Sequence, residues 1–150
     1  GPGSEAPSAP APTPAPTPTP TPAPSPTNDL KLMGTSRNDT LIGKEGNDTI
    51  SGMGRHDWVE GRGGNDVLSG GSGADTFYFT PRSAHDRVTD FDVRSGDKVQ
   101  FAFNADIKSF SAVLAHMTNT SEGVLFQDDG DTVLFRGVSK AQFTPDDFMF

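Results

Sequence analysis

The chain has 150 residues, with 12 Lys and Arg against 20 Asp and Glu and a formal net charge of −8. No basic cluster is present to neutralise a phosphate backbone, so nucleic acid is excluded as a partner, and no apolar run approaches the roughly 20 residues that a membrane-crossing helix needs. Cysteine is absent, so disulfides do not hold the fold, a condition that suits a cytosolic protein or an exported one stabilised by other means.

Gly1-Pro2-Gly3-Ser4 reads as the scar left when a purification tag is cut away. Residues 5–28 follow as a Pro/Thr/Ala linker that holds most of the 13 prolines. A stretch such as Ala9-Pro10-Ala11-Pro12-Thr13-Pro14 offers no side chain able to build a core and no amide donor at proline, so a disordered, extended linker is expected.

From residue 29 to residue 79 the text is periodic. Glycine recurs at Gly34, Gly43, Gly52, Gly61 and Gly70, always nine residues apart. Asp39, Asp48, Asp57, Asp66 and Asp75 keep the same interval, and an apolar residue follows each by two: Leu41, Ile50, Val59, Leu68 and Phe77. A glycine-rich solvated loop with scattered acids would not hold three columns in phase. Each repeat reads as a tight turn, where glycine allows positive φ, followed by a short strand whose middle side chain points inward. Alternate repeats then stack on opposite sides, two per coil, and aspartates eighteen residues apart become neighbours about one strand spacing (~4.8 Å) away. Like charges at that distance repel unless a cation lies between them. Ca²⁺ suits the place, because it takes oxygen ligands, main-chain carbonyls included. The carbonyls of Gly43, Gly52, Gly61 and Gly70 are the natural supplement to the carboxylates.

The stretch Gly70-Gly71-Ser72-Gly73-Ala74-Asp75 resembles the Gly-Gly-x-Gly-x-Asp-x-U-x signature (U apolar) of RTX (repeats-in-toxin, hemolysin-type) calcium-binding rolls at every turn position. The resemblance implies an all-β fold, a parallel β-roll, with one ion between Asp39 and Asp57, one between Asp48 and Asp66 and one between Asp57 and Asp75, about three in all. The fourth turn position is Gly46, Gly64 and Gly73 in three repeats but Arg37 and Arg55 in the other two. Those arginines strain the turn and bring positive charge to an ion site, so the first site is expected to be weakest and the Asp48 and Asp66 site strongest.

Residues 80–150 lose the period and read as a strand-rich cap. Strands are expected around Asp86–Asp92 and Gly96–Val99, and Phe110, Val113, Leu114 and Met117 recur at helical spacing behind Ser109, giving one short helix. Val124-Leu125-Phe126 and Thr132-Val133-Leu134-Phe135 flank an acidic turn, Asp128 to Asp131, whose spacing is not that of an EF-hand. All 11 phenylalanines lie from Phe77 onward, enough to cover the open end of a roll too small to stand alone. The segment resembles the C-terminal region of serralysin-type exoproteins at Asp86 to Phe91, Gly96 to Val99 and Asp146 to Phe150. By that resemblance Asp90 and Asp97 are candidate ligands of one more calcium, with an acid-rich turn as the alternative. Asp147-Phe148-Met149-Phe150 is similar to the signal read by type I secretion machinery, with a docked terminal strand as the alternative.

No nucleophile elbow, His-Glu-x-x-His helix or phosphate-cradling loop occurs, and His56, His85 and His116 share no metal-ligand spacing. No catalytic residue is expected. The resemblance implies a noncatalytic module of a secreted, extracellular bacterial enzyme, with a catalytic domain upstream in cis, disordered without calcium and folding when it binds. Similar rolls accompany mannuronan epimerases as R-modules. An alternative function is therefore calcium-dependent binding of an acidic, alginate-like polysaccharide through Arg37, Arg55 and the outward-facing Trp58.

Overall fold

The computed structural model describes residues 29–102 and 107–150; the expected scar and linker lie outside the described residues. Eight short strands come first: β1 (Lys31–Met33), β2 (Thr40–Ile42), β3 (Thr49–Ser51), β4 (Trp58–Glu60), β5 (Val67–Ser69), β6 (Thr76–Phe79), β7 (His85–Val88) and β8 (Lys98–Phe101). Odd strands pair in parallel on one side and even strands on the other, in the orders β1-β3-β5-β7 and β2-β4-β6-β8. The register joins Leu32 to Ile50 to Leu68 and Leu41 to Val59 to Phe77. Pairing at eighteen residues is what a nine-residue period with two repeats per coil requires, and the parallel β-roll is the observed architecture.

The middle side chain of each strand points inward. Ile50, Val59, Leu68, Phe77, Val88 and Val99 are fully buried, whereas Leu32 and Leu41 at the N-terminal end are only partly covered. Five repeats at two per coil amount to two and a half coils, but the roll is four strands deep on each side. Strands β7 and β8, expected in the cap, continue the stack: Leu68 pairs with Val88, and Phe77 with Val99. Their connecting turns are longer, so the repeat widens from 18 residues to 20 and 22, which hides these coils from a search at fixed period.

The remainder closes the C-terminal end. Helix α1 (Phe110–Ala115) starts at Ser109, whose side chain caps it by accepting the Ala112 N–H. Then come β9 (Met117–Asn119), β10 (Gly123–Asp128), β11 (Asp131–Arg136) and β12 (Phe148–Met149). The hairpin of β10 and β11 turns on Asp129 and Gly130, with φ of 51° and 89°, the pair of left-handed residues a tight two-residue hairpin favours. Strand β11 adds in parallel to β7, and β12 to β8, so both sheets of the roll run on into the cap. The phenylalanines follow: Phe101 stacks on Phe126 with centroids 4.0 Å apart, and Phe79 and Phe91 pack edge-on against Phe135. Roll and cap share one hydrophobic core.

Candidate metal centre

The aspartates form two ladders along the roll. In one, the amide of Asp39 donates to Asp57 Oδ1, that of Asp57 to Asp75 Oδ1 and that of Asp75 to Asp97 Oδ1, at 2.8, 2.9 and 2.9 Å. In the other, the amide of Leu30 donates to Asp48 Oδ1, that of Asp48 to Asp66 Oδ1 and that of Asp66 to Asp86 Oδ1, at 2.7, 2.7 and 2.9 Å. Each carboxylate thus ties its coil to the one before. Asp39 is half-exposed, while Asp48, Asp57, Asp66, Asp75, Asp86 and Asp97 are buried.

The second oxygen divides the ladder. Asp39 Oδ2 accepts the Thr35 amide and Asp48 Oδ2 the Lys44 amide. Oδ2 of Asp57, Asp66, Asp75 and Asp86 is buried with no hydrogen-bond partner. Backbone conformation runs parallel to this split: the residue after the first glycine is left-handed in the third to fifth repeats, as Met53, Arg62 and Gly71, with φ of 79°, 68° and 82°. In the first two repeats that residue, Thr35 or Lys44, uses its N–H on the carboxylate instead.

The glycines spaced nine residues apart serve close approach rather than positive φ. A Cβ at Gly43 would meet Asp48 Oδ2 and, at 2.7 Å, the Gly61 carbonyl oxygen; one at Gly52 would meet Asp57 Oδ2 and, at 2.7 Å, the Gly70 carbonyl oxygen. Positive φ belongs to the fourth position, at Gly46, Arg55, Gly64 and Gly73, and in the last three repeats also to the second. The expected strain is therefore real at Arg55, φ 68°, but Arg37 is not among the left-handed residues. Its amide donates to the Thr35 hydroxyl.

Burial raises the pKa of five of these acids, Asp57, Asp66, Asp75, Asp86 and Asp97. It pushes the Asp66 and Asp75 carboxyls up to about 7 and that of Asp86 to about 8, with the carboxylates of adjacent coils adding repulsion and the backbone N–H opposing it. Asp97 rises to about 6, and Asp57 shifts the same way from the same leading cause. Among the described residues no Lys or Arg forms an ion pair with any of them. Buried carboxylates without a cation demand either protons or metal.

The donor set fits a hard divalent cation. It consists of oxygens only: orphaned carboxylate Oδ2 atoms beside main-chain carbonyls of glycine-rich turns, the mixture Ca²⁺ accepts. Among the described residues no three His, Cys, Asp or Glu side chains converge, so carbonyls would supply the larger share of ligands.

The cap ligands proposed from sequence separate. Asp97 occupies the rung above Asp75, and its Oδ2 accepts the Asp92 amide. Asp90 Oδ1 accepts the Gly70 amide and Oδ2 the Gly71 amide and the Ser69 hydroxyl, so three donors already satisfy it. Asp86 was missed as a ligand candidate. Its signal is the triplet Asp86-Arg87-Val88, which repeats the Asp-x-apolar unit, as does Asp97-Lys98-Val99. Of the residues expected to hold glycan, Trp58 lies half-buried on the outer face of β4, while Arg37 and Arg55 are exposed on turns and do not share its groove.

The RTX calcium-binding nonapeptide repeat matches residues 33–54 and 51–79. This stretch is an RTX repeat array. No curated protein sequence matches the chain. Among solved structures, the extracellular lipase LipA of Serratia marcescens superposes with a TM-score of 0.68 at 23% identity, over 83% of this chain and 20% of the lipase. The chain thus spans about a fifth of that enzyme, and the likeness is one of fold. The AlgE6R3 subunit of the Azotobacter vinelandii mannuronan C5-epimerase superposes with a TM-score of 0.62 at 26% identity, over 85% of this chain and 82% of the subunit. The first of these is an extracellular lipase and the second a subunit of an epimerase. No described helix is long and apolar enough to cross a membrane.

Proposed function

We propose that this chain is a noncatalytic calcium-binding module of a secreted bacterial enzyme, unfolded without calcium and folding when the ion binds, which supports type I secretion and folding outside the cell. The observation that carries the reading is the ladder of buried aspartates whose Oδ2 atoms at Asp57, Asp66, Asp75 and Asp86 have, among the described residues, no hydrogen-bond partner and no Lys or Arg ion pair. Without metal these carboxylates oppose the stacking of coils. Calcium supplies the positive charge and the coordination that the turns lack. Asp57, Asp66, Asp75 and Asp86 would hold it together with the turn carbonyls, while the Oδ1 rungs fix the spacing of coils. Free Ca²⁺ at a hundred times its Kd adds roughly 2.7 kcal/mol per independent site, and extracellular modules bind with Kd around 10⁻⁴ to 10⁻³ M. The switch would therefore act outside the cell.

The match to a fifth of a lipase and to a subunit of an epimerase supports a catalytic domain in cis, which we place upstream. The C-terminal Phe148 is docked through β12, so recognition by type I machinery would read this segment before the cap forms. Circular dichroism across a calcium titration tests the reading. The sheet signal is expected to appear with Ca²⁺ and be absent in excess chelator; a signal already complete in chelator refutes it.

A further inference from the structure

We infer that the outer face of the even-numbered sheet carries a binding site for a carboxylated glycan, built around Trp58 and Tyr78. A cavity of about 880 Å³ opens there, lined by Trp58, Tyr78, Arg62, Arg82, Gln100 and Glu45. Its volume lies toward the upper end of small-molecule sites, room for an oligomer rather than one ring. None of these side chains serves the aspartate ladders.

The floor is preorganised. Trp58 and Tyr78 stand diagonally across β4 and β6, with rings stacked at 5.1 Å and 30°. The indole Nε1 donates to Glu60 Oε1 at 3.2 Å, and Glu60 Oε2 accepts from Arg62 Nε at 3.0 Å. Glu60 is itself buried, so the tryptophan is held by a carboxylate under its edge and a ring at its side. A flat, amphipathic floor of this kind suits the C–H face of a pyranose.

The rim supplies charge. Arg62 commits only its Nε to Glu60, and among the described residues the Arg82 guanidinium has no ion-pair partner. Both arginines are left-handed, each at φ 68°; for Arg62 this is the conformation of its turn position, shared with Met53 and Gly71, while Arg82 lies outside the repeats. Arg82 is fixed there by its amide, which donates to Asp131 Oδ2 at 2.8 Å. Guanidinium forks match carboxylates in two-point geometry. Gln100 and Glu45, the latter seated over Gly63 with Oε2 2.5 Å from where a Cβ would stand, offer hydrogen bonds to hydroxyls. The stacking floor and the Arg82 guanidinium, which has no ion-pair partner among the described residues, suit a sugar bearing a carboxylate, with Gln100 and Glu45 placed to take hydrogen bonds from its hydroxyls.

Trp58 is the single tryptophan, so its fluorescence reports directly. The full chain, folded in calcium-buffered solution, is titrated with short oligogalacturonate and, separately, with the uncharged galacto-oligosaccharide. A saturable change with the uronate is expected, at least tenfold weaker with the neutral sugar, weakened by added salt and reduced tenfold or more in Arg82→Gln. Calcium-dependent circular dichroism of the variant separates lost binding from lost folding; Arg62→Gln replaces it if Arg82→Gln does not fold. An unchanged spectrum with the uronate overturns the inference, as does parental affinity in the folded variant or equal binding of the neutral sugar. A saturable Trp58 fluorescence change with a peptide of residues 9–24, where the uronate is silent, would overturn the inference and assign the groove to a proline-rich segment instead.

Discussion

Asp66→Asn separates metal binding from mere packing. Asparagine keeps an oxygen to accept the Asp48 amide, the 2.7 Å rung, but replaces the orphaned, fully buried Oδ2 with an amide nitrogen and removes one charge. Loss of one site at a hundredfold excess over Kd removes roughly 2.7 kcal/mol, about a hundredfold in the folded-to-unfolded ratio at about 1.4 kcal/mol per decade. If two ions remain to drive folding, each contributing one power of concentration, the calcium midpoint of the sheet signal rises about tenfold and the transition becomes shallower. In chelator the sign reverses, because a neutral side chain escapes the burial that pushes the Asp66 pKa up to about 7. Asp39→Asn, at a half-exposed carboxylate already satisfied by Thr35, is expected to shift the midpoint least. The assay is circular dichroism against buffered free Ca²⁺ at pH 7.5. A variant equally impaired with and without calcium, or an Asp39→Asn shift as large as that of Asp66→Asn, would refute the assignment.

Metal-free protein should gain sheet on acidification. The folded pKa values of Asp66, Asp75 and Asp86, about 7, 7 and 8 against 3.8 for the ordinary group, mean that the folded roll takes up protons. That stabilisation is fully present below about pH 4 and is lost as pH rises through 7 to 8. Circular dichroism in chelator that is unchanged between pH 8 and pH 5 would contradict it. Gly61→Ala places a Cβ against Asp66 Oδ2 and 2.8 Å from its Cγ, so it is expected to raise the calcium midpoint strongly. Gly130→Ala, with open space but φ of 89°, costs only about 1–2 kcal/mol of backbone strain and leaves calcium binding intact by calorimetry. Phe135→Ala, at a fully buried ring, should cost about 3–5 kcal/mol and move the Trp58 and sheet transitions together. Separate transitions would show that roll and cap fold independently.

The columns of glycine, aspartate and apolar residue were legible because a nine-residue period repeated five times is local information. The hairpin around Asp129-Gly130 and the helix behind Ser109 were legible for the same reason, each carrying its own turn or cap chemistry. Strands β7 and β8 were misplaced because their register is set by pairing with β5 and β6 across turns of irregular length, which no fixed interval reports. The purpose of the first-position glycines was also hidden: it depends on a carboxylate folding back over the turn and a carbonyl one coil away. Trp58 stands on the outer face of its strand as expected, but strand register alone brings Tyr78 beside it and sets Arg62 and Arg82 around the same cavity.

The placement of orphaned oxygens and of buried apolar side chains follows one gradient. At the N-terminal end Leu32 and Leu41 are only partly buried, and the oxygens of Asp39 and Asp48 are satisfied by their own turns. Toward the cap the inward residues are fully buried, the Oδ2 atoms of Asp57, Asp66, Asp75 and Asp86 are orphaned, and the edges of both sheets are taken up by β11 and β12. Carboxylate burial is costly where the core is deepest, and there the phenylalanines of the cap contribute most. The need for a cation and the means of holding the coils around it therefore coincide in the coils next to the cap. On the proposed reading, calcium coordination and closure of the phenylalanine core would be two halves of one cooperative step, with the N-terminal repeats added to a stack that the cap has already ended.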